Sequence, residues 1–271
     1  MKILKKCMWG FLILILLILL ILILLFFFYK FNNKEQWYTN NPFIGHALYG
    51  IDQIDYTNSK EALDLAYANN IRVLEADFLL TTDKKLVLKH YWKDNKINSY
   101  SNFMLEKINN EYTPMDINML LDYMEKYQDL YIVIDTKENE YSGSISSVYK
   151  QIVLECQERN PKLLERFIAQ VYSFEEYNEI KNIYNFSNYI FSTYKLQEIF
   201  PRQIVYFSLI NNIRVIAIPT EQLEKNLFSK EDIDLIKSKN IKLYVYTVNK
   251  EDDYNKLLAQ GIDGVYTDYL K

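Results

Sequence analysis

The stretch FIAQVYSFEEYNEIKNIYNFSNYIFST, residues 167–193, carries a strand candidate at Phe167–Val171, a helix candidate at Phe174–Ile183 and a second strand candidate at Tyr189–Thr193. Two strands separated by a helix pair in parallel, because a parallel pair needs a long crossover and a helix supplies it. The same alternation runs outward in both directions. Upstream, strand candidates lie at Phe43–Ala47, Ile71–Phe78 and Leu130–Asp135. Helices are expected after Thr57-Asn58-Ser59, after Asp116 and over Ser144–Glu158, where Ser, Asn and Asp can accept from the free N–H groups of a first turn. Thr81–Lys85 reads as a turn and Leu86–His90 as an extended return. Downstream, strands are expected at Ile213–Ile218, Ile241–Tyr246 and Gly264–Tyr266, with helices over Leu196–Leu209, over Ser229–Lys239 and through Leu257 and Leu258. About eight such repeats in roughly 250 residues predict an α/β fold closed into a (β/α)8 barrel rather than an open sheet. No glycine-rich phosphate loop follows any strand, so the nucleotide-binding fingerprint is missing.

The N-terminus differs in kind. Trp9–Tyr29 is uncharged and almost wholly Leu, Ile and Phe. At about 1.5 Å per residue such a run covers a hydrocarbon core of about 30 Å. Phe26, Phe27, Phe28 and Tyr29 stand where a cleavable leader needs small residues, so an uncleaved transmembrane helix is expected. Lys2, Lys5 and Lys6 precede the span, which places the N-terminus in the cytoplasm and the barrel outside it. The expected organisation is residues 1–30 as cytoplasmic tip and anchor, 31–42 as tether and 43–271 as barrel. Residues 1–30 hold four lysines and no acid against a whole-chain charge of -4, which leaves -8 on the rest. An acidic body excludes nucleic acid as a partner, since a basic face supplies most of that affinity. The two cysteines, Cys7 and Cys156, form neither a disulfide framework nor a metal spacing.

Active sites of such barrels gather at the C-terminal ends of the strands. The polar residues expected there are His46, Glu75, Asp77, His90, Asp135, Lys137, Gln170 and Tyr246. Glu75 and Asp77 are two apart on one strand, so they share a face. Two carboxylates on a buried face repel, and a divalent cation relieves that repulsion; an all-oxygen set suits Ca2+ or Mg2+ rather than Zn2+. The chain has only two histidines, and both fall near these acids. The combination suits phosphoryl transfer, with one imidazole taking a proton from the nucleophile and the other protonating the leaving oxygen.

Gly45-His46, Asn58-Ser59 opening a helix, Leu74-Glu75-Ala76-Asp77, Thr81-Thr82-Asp83 and Leu86-Val87-Leu88-Lys89-His90 together resemble the glycerophosphodiester phosphodiesterase family. Ile134-Asp135-Thr136-Lys137 is similar to its I-E-x-K strand, and Tyr246-Thr247-Val248-Asn249 and Gly261–Asp268 are similar to its ending. The resemblance covers residues 43–270 in order. It implies a TIM barrel that hydrolyses phosphodiesters, with His46 and His90 as the acid–base pair. It further implies that Glu75, Asp77 and Asp135 hold one divalent cation, that Lys137 contacts phosphate, and that His90 is the base and His46 the acid. Gln170 and Tyr246 are assigned to substrate binding.

The departures are as informative. Ala47 stands where the family has Arg, Tyr91 where it has Asp, Asp135 where it has Glu, and Tyr246 where it has Trp. The Ala47 position loses one charge-assisted phosphate contact. Similar His-Ala variants resemble a subgroup related to phosphatidylinositol-specific phospholipase C. The expected activity is a membrane-anchored, divalent-metal-dependent phosphodiesterase acting on glycerophosphodiester-type, lipid or polyol phosphodiesters. The attacking group is either water or a neighbouring substrate hydroxyl. The rival expectation is a catalytically reduced barrel that binds such a ligand without turnover.

Overall fold

The computed structural model describes residues 15–25, 36–92, 96–136 and 144–271. The chain divides into two units, Met1–Thr39 and Asn40–Lys271. Among the described residues of the second unit, eight parallel strands close on themselves. They are β1 (Phe43–Gly45), β2 (Val73–Leu80), β4 (Tyr131–Thr136), β5 (Phe167–Val171), β6 (Asn188–Ser192), β7 (Val215–Pro219), β8 (Lys242–Tyr246) and β9 (Gly264–Thr267). β1 pairs with both β9 and β2, which seals the ring. A further strand, β3 (Leu86–Leu88), runs antiparallel along the overhanging end of β2, with Phe78 opposite Leu88 and Leu80 opposite Leu86. This is the TIM barrel that the alternation predicts.

Side chains along each strand alternate between two faces. Leu74, Ala76 and Phe78 of β2, Ile132 and Ile134 of β4, and Phe167 and Ala169 of β5 join one apolar cluster with helix residues such as Leu63, Leu120 and Ile152. Fully burying side chains of this size stabilises by about 1.5–3 kcal/mol each. The alternate positions face the barrel interior. Toward the strand N-termini these are Val73, Val133, Ile168, Ile190 and Val215, all fully buried. Toward the C-termini they become Glu75, Asp77, Asp135, Gln170 and Ser192, buried as well. One end of the barrel is an apolar plug and the other a polar floor.

The capping chemistry acts as expected at Ser59 and Asp116, whereas Ser144 precedes its helix without a side-chain cap. Ser59 accepts from Ala62 N at the start of Lys60–Ala68, Asp116 accepts from Met119 N at the start of Ile117–Lys126, and Ser229 with Asp232 forms a capping box on Lys230–Ser238. Several boundaries differ from the sequence reading by a residue or two, and three departures are larger or bear on the site. β1 ends at Gly45, so His46 opens the short turn His46–Leu48 instead of closing the strand. The expected helix Leu196–Leu209 begins only at Pro201, because a proline fixes a helical φ at the first position and bars it for the residue before. The polar stretch after His90 contains a helix at Tyr100–Leu105, whose Phe103 covers Leu79, Val87 and Trp92 in a satellite cluster.

In the first unit, residues 15–25 are helical, and Ile15 through Leu25 are all exposed. Among the described residues no helix is long and apolar enough to cross a membrane. The remainder of the expected span, residues 9–14 and 26–29, lies outside the described residues.

Gly264 is the register partner of Tyr244, and a Cβ there would lie 2.5 Å from the tyrosine ring and 2.6 Å from the Pro42 carbonyl oxygen. Tyr244 is fully buried and donates to the Asn41 carbonyl oxygen at 2.6 Å, so the ring has no room to retreat. Gly264→Ala is expected to destabilise the barrel by about 1–3 kcal/mol through overpacking, read as a lower urea midpoint at unchanged slope.

Candidate active site

β2 delivers Glu75 and Asp77 to the polar end, and the parallel register sets Asp77 directly opposite Asp135 of β4. All three carboxylates are buried, and one ligand oxygen from each lies within 4.8 Å of the others. Two unit charges at that spacing repel by about 3 kcal/mol at an effective dielectric of about 20, so the cluster exists only with compensation. Part of it is hydrogen bonding. Asn58 donates through Nδ2 to Asp77 Oδ2 at 2.7 Å while its Oδ1 accepts from Asp77 N at 3.0 Å. Glu75 Oε2 accepts from Ala47 N at 3.3 Å. Tyr172 donates a short hydrogen bond to Asp135 Oδ1. Burial, reinforced by the charge of Asp135, raises the Tyr172 phenol well above its usual range and keeps it a donor.

The ring of His46 supplies positive charge. Its Nε2 stands 3.7 Å from Glu75 Oε2, and its Nδ1 donates to Asp268 Oδ1 at 2.9 Å. Burial alone disfavours the imidazolium, but Glu75, Asp268 and Asp77 outweigh it and raise the pKa to about 9. Asp268 is held in turn by Asn249, which donates to Asp268 Oδ2 at 2.7 Å and accepts from Asp268 N at 2.7 Å. The Asn58–Asp77 and Asn249–Asp268 pairs are the same two-point clamp used twice. One fixes a carboxylate of the acidic cluster, and the other fixes the acid that orients His46.

His90 reaches the site by a detour. β2 runs past Asp77 to Leu80, turns where Thr81 N donates to the Lys85 carbonyl oxygen at 2.9 Å, and returns as β3. Lys89 N then donates to the Asp77 carbonyl oxygen at 2.8 Å, which brings His90 level with the acids. His46, His90, Glu75 and Asp135 line one cavity of about 300 Å3. The ring of Tyr56 touches both imidazoles, with centroids 4.6 Å from His46 and 4.4 Å from His90.

Gln170 and Tyr246 line the same cavity. Gln170 is anchored, donating to the Tyr172 hydroxyl at 2.6 Å and accepting from the Tyr266 hydroxyl at 2.7 Å. The Tyr246 hydroxyl pairs with Ser192 Oγ at 2.8 Å. Seven of the eight expected site residues are thus brought together, six in the cavity wall and Asp77 in the carboxylate cluster beside it; the eighth, Lys137, lies outside the described residues. The sequence reading missed Asp268, Asn249, Asn58, Tyr56 and Tyr172 as site residues. Asn58, Asn249 and Asp268 do sit inside the family-like motifs, which was the signal available; the tyrosines carried none.

Oxygens that share one Ca2+ or Mg2+ are separated by at most twice the metal–oxygen distance, about 4–5 Å. The 4.8 Å bound on the three carboxylates meets that limit for Ca2+, whose bonds are about 2.3–2.6 Å, and their hard oxygen chemistry fits a cation of this class.

Acids at the strand C-termini of a (β/α)8 barrel, with histidines on the adjoining turns, place a candidate active site at that face. The family model of the glycerophosphoryl diester phosphodiesterases matches residues 52–271. The chain therefore belongs to the glycerophosphoryl diester phosphodiesterase family and is a phosphoric diester hydrolase. Similar solved structures include a glycerophosphodiester phosphodiesterase from Thermotoga maritima, with 20% identity, a TM-score of 0.62 and coverage of 84% of this chain and 95% of that one. An Oleispira antarctica phosphodiesterase, solved with the product sn-glycerol-3-phosphate, shares 17% identity at a TM-score of 0.69 over 86% of this chain and 95% of that one. A Parabacteroides distasonis glycerophosphodiester phosphodiesterase shares 16% identity at 0.66 over 84% and 93%. At these identities the likeness is one of fold. No curated protein matches the sequence.

In cation-free protein His46 is expected to titrate near pH 9, and Asp268→Asn to move that titration down toward 6.5, both read from its imidazole NMR signals. The folded value lies above the unfolded one, so the charged ring stabilises the fold fully below pH 6.5 and that contribution disappears as pH rises through about 9.

Proposed function

We propose that this chain is a divalent-cation-dependent phosphodiesterase that cleaves glycerophosphodiester-type or related lipid and polyol phosphodiesters by histidine acid–base catalysis. The observation that carries this reading is that both histidines of the chain line one cavity with Glu75 and Asp135. Glu75, Asp77 and Asp135 would hold Ca2+ or Mg2+, which supplies positive charge to phosphate oxygens when bound. His46 serves as the general acid, with the Asp268 carboxylate at its Nδ1 favouring the charged ring. Asp268 ties down Nδ1, so the proton that His46 gives to the leaving alcohol comes from Nε2, the nitrogen turned toward the acidic cluster. His90 takes the proton of the attacking hydroxyl, from water or from a neighbouring substrate hydroxyl. The latter route gains from effective molarities of about 10⁵ M or more on suitable polyols.

Gln170 and Tyr246, both held by hydrogen bonds, present fixed surfaces to the substrate alcohol. Lys137 is assigned to the phosphate by its place in the family-like strand motif. The glycerol phosphate product of the Oleispira enzyme supports a glycerophosphodiester as the class of substrate. A single-pass anchor with the barrel on the extracytoplasmic side completes the proposal. It is supported by the uncharged run Trp9–Tyr29 and by a helix over residues 15–25 that is apolar on every face, a pattern of membrane spans rather than of surface helices.

Turnover of bis-p-nitrophenyl phosphate and of glycerophosphodiesters with Ca2+ or Mg2+ tests the reading. His46→Ala and His90→Ala are each expected to lower kcat by about 10²–10⁴. Equal rates in wild type and variants would remove the histidine mechanism. Ligand binding without turnover of any phosphodiester would return the barrel to a binding role.

A further inference from the structure

Tyr56 stands in contact with both imidazoles, edge-on to His46 with ring planes at 80° and tilted at 47° to His90. These are the edge and tilted arrangements that aromatic rings favour. The ring does not plug the cavity: about 300 Å3 remains beside it, with both histidines still in its wall. Its own position is heavily determined. Seven residues from Ala47 to Asn58 hold left-handed φ, among them Ala47 at 48°, Tyr56 at 56° and Asn58 at 47°. Each is disfavoured for a residue with a Cβ, and such a run persists only where its surroundings fix it.

The fixing contacts are on both sides of the loop. Gly50 N donates to the Asp268 carbonyl oxygen at 2.9 Å, and Asn58 N to the Ala47 carbonyl oxygen at 3.2 Å. Tyr112 donates to Asp52 at 2.9 Å, and Tyr49 to the Leu270 carbonyl oxygen at 3.1 Å. The loop thus spends its strain on one outcome, a phenol ring set between the chain's two histidines. His46 is oriented by the Asp268 carboxylate, and His90 stands on a hairpin return two residues beyond the last residue of β3.

We infer that Tyr56 is a positioning residue, a wedge whose ring holds the two imidazoles in their relative orientation for proton transfer. The inference rests on the histidine mechanism proposed above. The ring acts through its faces and edges, so phenylalanine serves in its place and alanine does not.

The experiment compares Tyr56→Phe and Tyr56→Ala in the full chain, on bis-p-nitrophenyl phosphate with saturating Mg2+ or Ca2+, with kcat and KM separated. A misplaced acid–base pair loses rate rather than affinity. Tyr56→Ala is therefore expected to lower kcat on the order of 10–100-fold with KM within about threefold, and Tyr56→Phe to stay within about twofold of wild type in both. A second readout is independent of turnover. The chain has only two histidines, so their ring signals are read by NMR without crowding; they should shift and broaden in Tyr56→Ala and stay in place in Tyr56→Phe. Tyr56 is 41% exposed, and the alanine variant is expected to fold. Unchanged imidazole signals in Tyr56→Ala would overturn the wedge. So would a kcat that holds or rises, which would make Tyr56 a gate, or a phenylalanine variant as damaged as alanine, which would make the hydroxyl the working group. If wild type cleaves no phosphodiester, the proposed function fails, and the imidazole signals still decide the wedge.

Discussion

Three buried carboxylates within 4.8 Å of one another cannot be left to themselves, and much of the polar end of this barrel answers that constraint. Backbone strand register puts them there: Glu75 and Asp77 share a face of β2, and Asp135 lies opposite Asp77 on β4. Hydrogen bonds from Asn58, Ala47 N and Tyr172 satisfy individual oxygens, and His46 contributes a charge. The donor set also fits a divalent cation. An uncompensated set would neutralise by taking up protons or would open the barrel end.

Around that cluster the fold separates two tasks. Regular strands, buried on both faces, fix the acids with little strain. Irregular backbone fixes the proton carriers: His46 on a left-handed turn after β1, His90 on the hairpin return, and Tyr56 on the strained loop between. Strain of this kind, about 1–3 kcal/mol for an outlying residue, is concentrated at the site and offset by contacts to the C-terminal segment through Asp268 and Leu270. The Asn–Asp clamp bridges the two tasks, once for Asp77 and once for the acid that holds His46.

Residues whose role follows from local periodicity were legible before any coordinates. Glu75 and Asp77 share a face because they are two apart, and Asp135 ends a strand rich in Ile and Val. The two histidines stood out because there are only two. Tyr56 and Tyr172 had no such contrast in a chain with 24 tyrosines, and nothing local separates a site phenol from a core one. Asp268 works on His46 across 222 residues of sequence, so its role needs the closed barrel to exist. The position of His46 was displaced by one step, since β1 yields to a turn at that residue. The helix expected from Leu196 begins only at Pro201, since the proline's geometry disfavours helical backbone at the residue before it.

The central claim is that the acidic cluster holds one divalent cation. Calorimetric titration of Mg2+ or Ca2+ into cation-free protein tests it most directly, alongside Asp77→Asn. The account predicts one cation per chain and at least about a tenfold loss of affinity in the variant. No saturable heat with either cation, or equal affinity in the variant, would contradict it.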